Sequence, residues 1–422
     1  MSLKLPKVFY GWWIVAASVF SGLYIAGVVF YGFTAIFEPI ANEMGWSHTQ
    51  VSLAASLRGL EMGILAPFSG ILTDRWGPRR IIFIGTIFTA TGLFLLSYTT
   101  SLGMFYGAFV LIALGMSGST MTVLMTAVAN WFRKKVGLAT GLAVSGFGFG
   151  GLLIPVMVKL VDVYEWRTAV TILAFGMLII VIPLSFVFRH KPEQYGYLPD
   201  GQKEDQATPD KGGDTTQETE VEIKAKQALK SSTFWQISLS YMFHTMFVNA
   251  VVTHVMPYLS SIGIVRSVSS LVATSIPLTS IIGRLGLGWL GDQFNKKLVA
   301  AGSFIMMGAG LFCFAYATNA GEWILVPFLI LFGIGYGGAN ALRPALVREY
   351  FGRASFGTIL GSITGAGLMG SILGPVLAGW AYDNWQSYQG IWFIFAVSTV
   401  VAVMSISTVH SVGPAVKLVE EV

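Results

Sequence analysis

The sequence predicts an all-α membrane protein of twelve transmembrane helices arranged as two six-helix bundles. Three observations carry that reading. Only 11% of the 422 residues are charged while 54% are hydrophobic, whereas a soluble domain carries about 25% charged residues. Apolar stretches of about 20 residues, each long enough to cross a hydrocarbon core of about 30 Å, recur from one end of the chain to the other. The second half also repeats loop motifs of the first in register.

The spans fall at about 11–37, 51–72, 81–99, 104–128, 136–160, 167–188, 232–259, 268–290, 298–318, 322–341, 356–380 and 389–410. Lys4 and Lys7 precede a full-length first span with no small-residue cleavage site before it has crossed, so that span is expected to be retained. Between Arg189 and Lys230 the apolar pattern gives way to a polar stretch whose composition disfavours a packed core. The domains read as a bundle over 1–188, a cytoplasmic linker over 189–230 and a second bundle over 231–422. Cys313 is the single cysteine, which excludes an intrachain disulfide and a cysteine-based metal site. No nucleophile and base constellation points to an enzyme, and no cofactor or metal is called for.

The net charge of +5 follows from topology and gives no support to nucleic-acid binding. Lys4, Lys7, Arg75, Arg79, Arg80, Arg133, Lys134, Lys135, the linker, Lys296, Lys297, Arg343, Arg348, Arg353 and Lys417 all read as loop or terminal positions on one side. Lys159, Arg167 and Arg266 fall on the other. The positive-inside rule makes the basic side cytoplasmic, with both termini inside and the chain integral to a plasma (inner) membrane.

The internal repeat is legible at two places. Gly70-Ile71-Leu72-Thr73-Asp74-Arg75 with Arg79 and Arg80 follows span 2, and Gly288-Trp289-Leu290-Gly291-Asp292 with Lys296 and Lys297 follows span 8. Trp131-Phe132-Arg133 leading to Gly137, Gly141 and Pro155 is echoed by Tyr350-Phe351-Gly352-Arg353 leading to Gly357, Gly361 and Pro375. Repeated halves are the architecture of a rocking transporter whose substrate site lies near mid-membrane. The Gly-x-x-x-Asp-Arg loop resembles the signature of the major facilitator superfamily. That resemblance implies a cytoplasmic gate at Asp74, Arg75, Arg79 and Asp292. Glycines in spans 5, 8 and 11 suit close helix packing in lipid.

An ionised side chain at mid-bilayer costs at least about 2.5–3.5 kcal/mol and needs a partner, a cavity or a function. Arg58 and Glu61 in span 2 have the spacing of a helical ion pair, with proton acceptance or an outer gate as the functional reading of Glu61. Lys159 and Asp162 are near enough to the interface to snorkel. Arg284, deep in span 8, has no carboxylate within a turn, and its donor fork matches a carboxylate. An anion site is expected there.

Tyr10-Gly11-Trp12-Trp13 at the start of span 1, and Asn130-Trp131-Phe132-Arg133-Lys134-Lys135-Val136-Gly137 before span 5, resemble motifs of the monocarboxylate transporters, near the oxalate/formate antiporters and in a bacterial branch. The resemblance implies alternating-access transport of small monocarboxylates, of the lactate or pyruvate kind, together with a proton. It implies that Arg284 meets the substrate carboxylate, that His254 on span 7 faces the substrate, and that Tyr24, Tyr31, Phe332 and Tyr336 are cavity aromatics. Asn340 adds a donor, and Ser280 stands where animal carriers place an aspartate. Proton coupling is then expected of Arg284, His254 and Glu61, with His244 a further histidine on span 7. Span 11 lacks the second cation of the oxalate carriers, so dicarboxylates are disfavoured. An oxalate/formate-like exchanger or a proton-driven metabolite or drug exporter is the alternative, though span 4 lacks the exporters' arginine. A ligand-sensing receptor would add a signalling domain that the sequence does not show. Membrane lipid, the anion and the proton are the expected partners.

Overall fold

The computed structural model describes residues 9–57, 65, 69, 72–73, 75–118, 121–132, 136–190, 192–195, 225–352 and 356–410. These residues form helices and no strand. Eight stretches among them are long and apolar enough to cross a membrane, including Tyr10–Met44, Arg266–Gln293, Glu322–Phe351 and Gln389–Ser407. Large apolar side chains such as Leu285, 72% exposed, and Val397, 70% exposed, cover the outside. Such faces suit hydrocarbon and would be aggregation liabilities in water.

Contacts divide the chain into two compact units, one of residues 1–212 with 252–278 and one of 213–251 with 279–422. In unit 1, α1 (Tyr10–Ile25) passes through a π-helical stretch, Ala26–Tyr31, into α2 (Phe33–Met44). This carries the first span past its expected end to Gly45, whose φ of 64° closes the helix, a conformation glycine adopts without penalty. Next come α3 (His48–Leu57), α4 (Pro78–Ser97), α5 (Leu102–Ser117), α6 (Met121–Ala129), α7 (Val136–Phe149) and α8 (Ile154–Gly176). Within α8, Glu165 turns the chain at a φ of 63°. Trp166 and Arg167 follow at once: Arg167 pairs with Glu43 at 2.8 Å and donates to the Ser97 carbonyl at 2.8 Å, and the Trp166 indole donates to the same carboxylate.

Two longer helices, α9 (Ser232–Ser261) and α10 (Arg266–Gln293), contribute to both units, and their segment 252–278 belongs to unit 1. The reason is specific bonding. The Met256 amide donates to Thr34 at 3.1 Å, Arg266 donates to the Ala35 carbonyl at 2.8 Å, and Arg266 pairs with Asp162 at 2.9 Å. Asp162 therefore has Arg266 as its partner, where the sequence placed it only beside Lys159.

Unit 2 adds α11 (Lys296–Ala320), α12 (Leu325–Phe351), α13 (Phe356–Trp385) and α14 (Gln389–Ser407). Asn295 caps α11 by accepting from the amides of Lys297 and Leu298. Here the structure corrects the sequence: the tenth span runs to Phe351, so Arg343 and Arg348 are helical and not loop residues. Pro344 is inside this helix; its ring removes one donor from the ladder without ending it.

The α10–α12 crossing within unit 2 is set by glycine. A Cβ on Gly337 would collide with the Ser280 carbonyl oxygen, and one on Gly283 with that of Ile334, whereas a Cβ on Gly286 would meet nothing within 4 Å. Close backbone approach of this kind is how helices associate in lipid. Gly337→Ala should therefore destabilise the detergent-solubilised protein by about 1–3 kcal/mol, and Gly286→Ala should leave its melting temperature unchanged. Equal melting curves for the two variants would disprove the packing argument.

Candidate functional site

Arg284, Arg343 and His244 of unit 2 build a cationic, aromatic wall together with Tyr241, Tyr336 and Asn340. Arg284 on α10 is half-buried, and its guanidinium stands 6.0 Å from the Tyr336 ring centroid. Arg343 on α12, also half-buried, lies 4.6 Å over the Tyr241 ring and donates to Asn340 Oδ1 at 3.1 Å. The His244 ring connects the two ends, 5.9 Å from Tyr241 and 5.8 Å from Tyr336.

The hydrogen bonds show which groups remain available. The Tyr241 hydroxyl donates to the Ala339 carbonyl at 2.9 Å, which holds that ring under Arg343. Nε2 of His244 lies 3.4 Å from the Tyr336 carbonyl oxygen. A carbonyl only accepts, so Nε2 carries the proton and Nδ1 of the neutral ring presents a lone pair. Nδ1 of His244 and the Nε atoms of Arg284 and Arg343 are buried and have no hydrogen-bond partner among the described residues. Neither arginine takes part in any of the three ion pairs found there. The wall thus holds two guanidinium charges with no acid paired to them.

Arg284, Tyr336 and Asn340 of the sequence-predicted set are brought together here. Ser280 is fully buried one turn before Arg284, at the crossing with Gly337. Phe332 is also fully buried, stacked on Phe328 at 5.5 Å. It packs among the core rings of unit 2. Arg343 and His244 complete the wall. Sequence reasoning placed Arg343 in a loop because the helix was expected to end at residue 341.

The other predicted residues are in unit 1. Tyr24 donates its hydroxyl to the Leu173 carbonyl at 3.0 Å and packs against Gly176, so it ties helices together. Tyr31 is buried in the π-helical stretch edge-on to Phe30 at 5.0 Å. His254 is fully buried, with its ring 4.9 Å from Phe37, and its Nε2 is 2.9 Å from Ser52 Oγ. That hydroxyl gives its one proton to the His48 carbonyl at 2.5 Å, so His254 is the donor to Ser52. The structure gives His254 a helix-tying bond in unit 1.

The Major Facilitator Superfamily model matches this sequence twice, over residues 19–264 and 233–418. The chain belongs to the Major Facilitator Superfamily. It is a transporter integral to the membrane and not an enzyme. Among its relatives it is 25% identical to monocarboxylate transporter 12 of Xenopus laevis, over 94% of this chain and 87% of that protein. It is 26% identical to an MFS-type transporter of Gibberella moniliformis, over 90% and 86%, and 25% identical to monocarboxylate transporter 13 of Bos taurus, over 91% and 85%. Its fold matches that of a bacterial homologue of the human lysosomal transporter Spinster, solved inward-facing and unoccupied, with a TM-score of 0.66, 14% identity and 96% of each chain covered.

Of the facilitator signature, Asp74 lies outside the described residues, as do Arg58 and Glu61 of span 2. Arg75 is exposed, Arg79 lies 4.6 Å over the Phe186 ring, and Asp292 is exposed at the end of α10. The aromatic entry motif has a packing role. The Tyr10 hydroxyl donates to the Val187 carbonyl at 2.9 Å, the Trp131 indole donates to the Arg189 carbonyl at 3.2 Å, and Arg189 covers the Tyr10 ring at 3.9 Å. Gly11 lets the rings of Phe9 and Phe132 approach the helix start.

A carboxylate that the sequence analysis passed over, Glu38 on α2, is half-buried beside a polar cavity of about 70 Å³ lined by Thr34, Ala35, Met256, Ser260 and Arg266. Its signal was present in the sequence: an acid inside the extended first span, hidden because that span was ended at residue 37.

The bond between Ser52 and His254 yields a direct test. Ser52→Ala strands a buried ring N–H and should cost about 1–3 kcal/mol of stability. His254→Ala in the same background should cost less than it does alone. Additive losses in the melting temperatures would show that the two groups are not coupled.

Proposed function

We propose that this transporter carries small monocarboxylates of the lactate or pyruvate kind together with a proton, by alternating access, across an inner membrane with both termini on the cytoplasmic side. The observation that carries the reading is Arg284: a guanidinium inside an apolar helix, with a buried Nε lacking a partner and no ion pair among the described residues. A cation so placed is costly alone and is satisfied when an anion binds. The names of several relatives, which are monocarboxylate transporters, favour a carboxylate over other anions.

Arg284 takes the substrate carboxylate, and Tyr336 and Asn340 flank it. The proton role passes from His254 to His244, the histidine on the Arg284 wall. Its Nδ1 has no partner among the described residues, and an anion arriving beside Arg284 and Arg343 would offset their repulsion of a third positive charge. Anion and proton thereby favour one another's binding at His244, and Glu61 is the second candidate for the proton. Asp74, Arg75, Arg79 and Asp292 serve the cytoplasmic gate.

Two outcomes test this. Ligand-induced thermal stabilisation by lactate or pyruvate should be lost in Arg284→Ala and weak in Arg284→Lys, which keeps the charge without the fork. The unliganded Arg284→Ala protein should still fold, because an under-compensated cation has been removed. Stabilisation of the alanine variant equal to wild type would place the anion elsewhere. For the proton, adding anion to weakly buffered wild-type protein should draw up to about one proton per anion bound. His244→Ala should bind the anion without that uptake, and proton uptake undiminished in this variant would move the coupling to Glu61.

A further inference from the structure

We propose that Arg343 is a specificity-determining residue that reads a second oxygen-bearing group on the transported anion. The inference rests on the assignment of the substrate carboxylate to Arg284. The carboxylate at Arg284 offsets one of the two guanidinium charges on the wall and leaves the other.

The Arg343 side chain is held ready for such a contact. Its Nη2 is occupied by Asn340 Oδ1 at 3.1 Å, and the Tyr241 ring supports the guanidinium plane from 4.6 Å. Tyr241 is itself fixed by its bond to the Ala339 carbonyl. One nitrogen of the donor fork therefore orients the group, while Nε is buried without a hydrogen-bond partner among the described residues.

The spacing suits a small ligand. Gly337, whose missing side chain admits the Arg284 backbone, precedes Arg343 by six residues on the same helix, a rise of about 9 Å. The His244 ring lies 5.9 Å from the Tyr241 ring that Arg343 covers and 5.8 Å from the Tyr336 ring beside Arg284. Two long cationic side chains on either side of one imidazole can hold opposite ends of a short acid. The second cation that span 11 lacks is thus provided by span 10, a position concealed while Arg343 was read as a loop residue.

The chemistry this wall selects is a short carboxylate bearing another oxygen acceptor: a 2-hydroxy or 2-oxo acid, or a short dicarboxylate. Four probes on a three-carbon frame separate these sources, namely propionate, lactate, pyruvate and malonate. Affinities would be measured by ligand-induced thermal stabilisation of the full-length purified protein. Wild type should bind at least one of the oxygen-bearing acids about ten- to a hundred-fold more tightly than propionate, the usual worth of a hydrogen bond to a charged group. Tight binding of lactate and pyruvate alone identifies a hydroxyl or keto oxygen as the group read, and tight binding of malonate identifies a second carboxylate.

Arg343→Gln should bring all four probes to within about threefold of one another while leaving propionate binding in place, and Arg343→Lys should retain part of the preference. Propionate binding wild type as tightly as the other three would overturn the inference without any variant. So would Arg343→Gln keeping the wild-type preference, or losing all four anions alike while its unliganded melting curve is normal. Arg284→Ala, measured beside it, tests the underlying assignment separately, because that variant should lose propionate as well.

Discussion

The constraint on which the site depends is the cost of holding a guanidinium within a membrane-spanning helix. Three other partly buried cations of the described residues are paired with acids: Arg167 with Glu43, Arg266 with Asp162 and Lys296 with Glu349. Arg284 and Arg343 have aromatic rings, one amide oxygen and, among the described residues, no acid. Rings and amides lower the cost of a cation but do not neutralise it. A transporter gains from such incomplete compensation, because a wall fully satisfied on its own would bind nothing. The tyrosines hold the arginines in place without competing for their charge.

Placing those arginines requires the backbones of α10 and α12 to approach closely. Gly283 and Gly337 provide the approach, each facing a carbonyl of the opposite helix. A side chain at either point would push the helices apart and move the guanidinium groups with them. Packing and binding are therefore linked on one pair of helices, where small residues every few positions serve both. In unit 1 the same economy appears where Gly146 meets Val19 and Gly27 meets Gly150, so the small-residue seam is a general device of this fold in lipid.

Much of the helical architecture was legible because lipid imposes a simple rule: a span needs about 20 apolar residues. Arg284 was legible for the same reason, as an isolated charge within such a span. What escaped notice lay at span ends, where hydropathy has no sharp edge. Arg343 follows Asn340 and precedes Pro344 and Arg348, a run that reads as a polar turn, yet α12 continues through it to Phe351. Glu38 was lost in the same way beyond the expected end of the first span. Asp162 was assigned its neighbour in sequence, Lys159, because its real partner, Arg266, is more than a hundred residues away. Pairing across helices leaves no periodic trace in one sequence.

The two histidines of span 7 show why residue type alone could not rank them. Both are buried, both lie on α9, and histidine is suited to carrying a proton near neutral pH. Their difference lies in what the neighbouring helices present. His254 meets a serine whose own proton is already given to the His48 carbonyl, so its ring nitrogen has a fixed acceptor. His244 meets a backbone carbonyl on one side, while its other nitrogen has no partner among the described residues and its ring lies between the tyrosines beside Arg284 and Arg343. The first arrangement pairs the ring nitrogen with a neighbouring helix. The second leaves a nitrogen whose proton affinity would rise with any negative charge that enters beside it, which is why the proposed coupling is assigned to that ring.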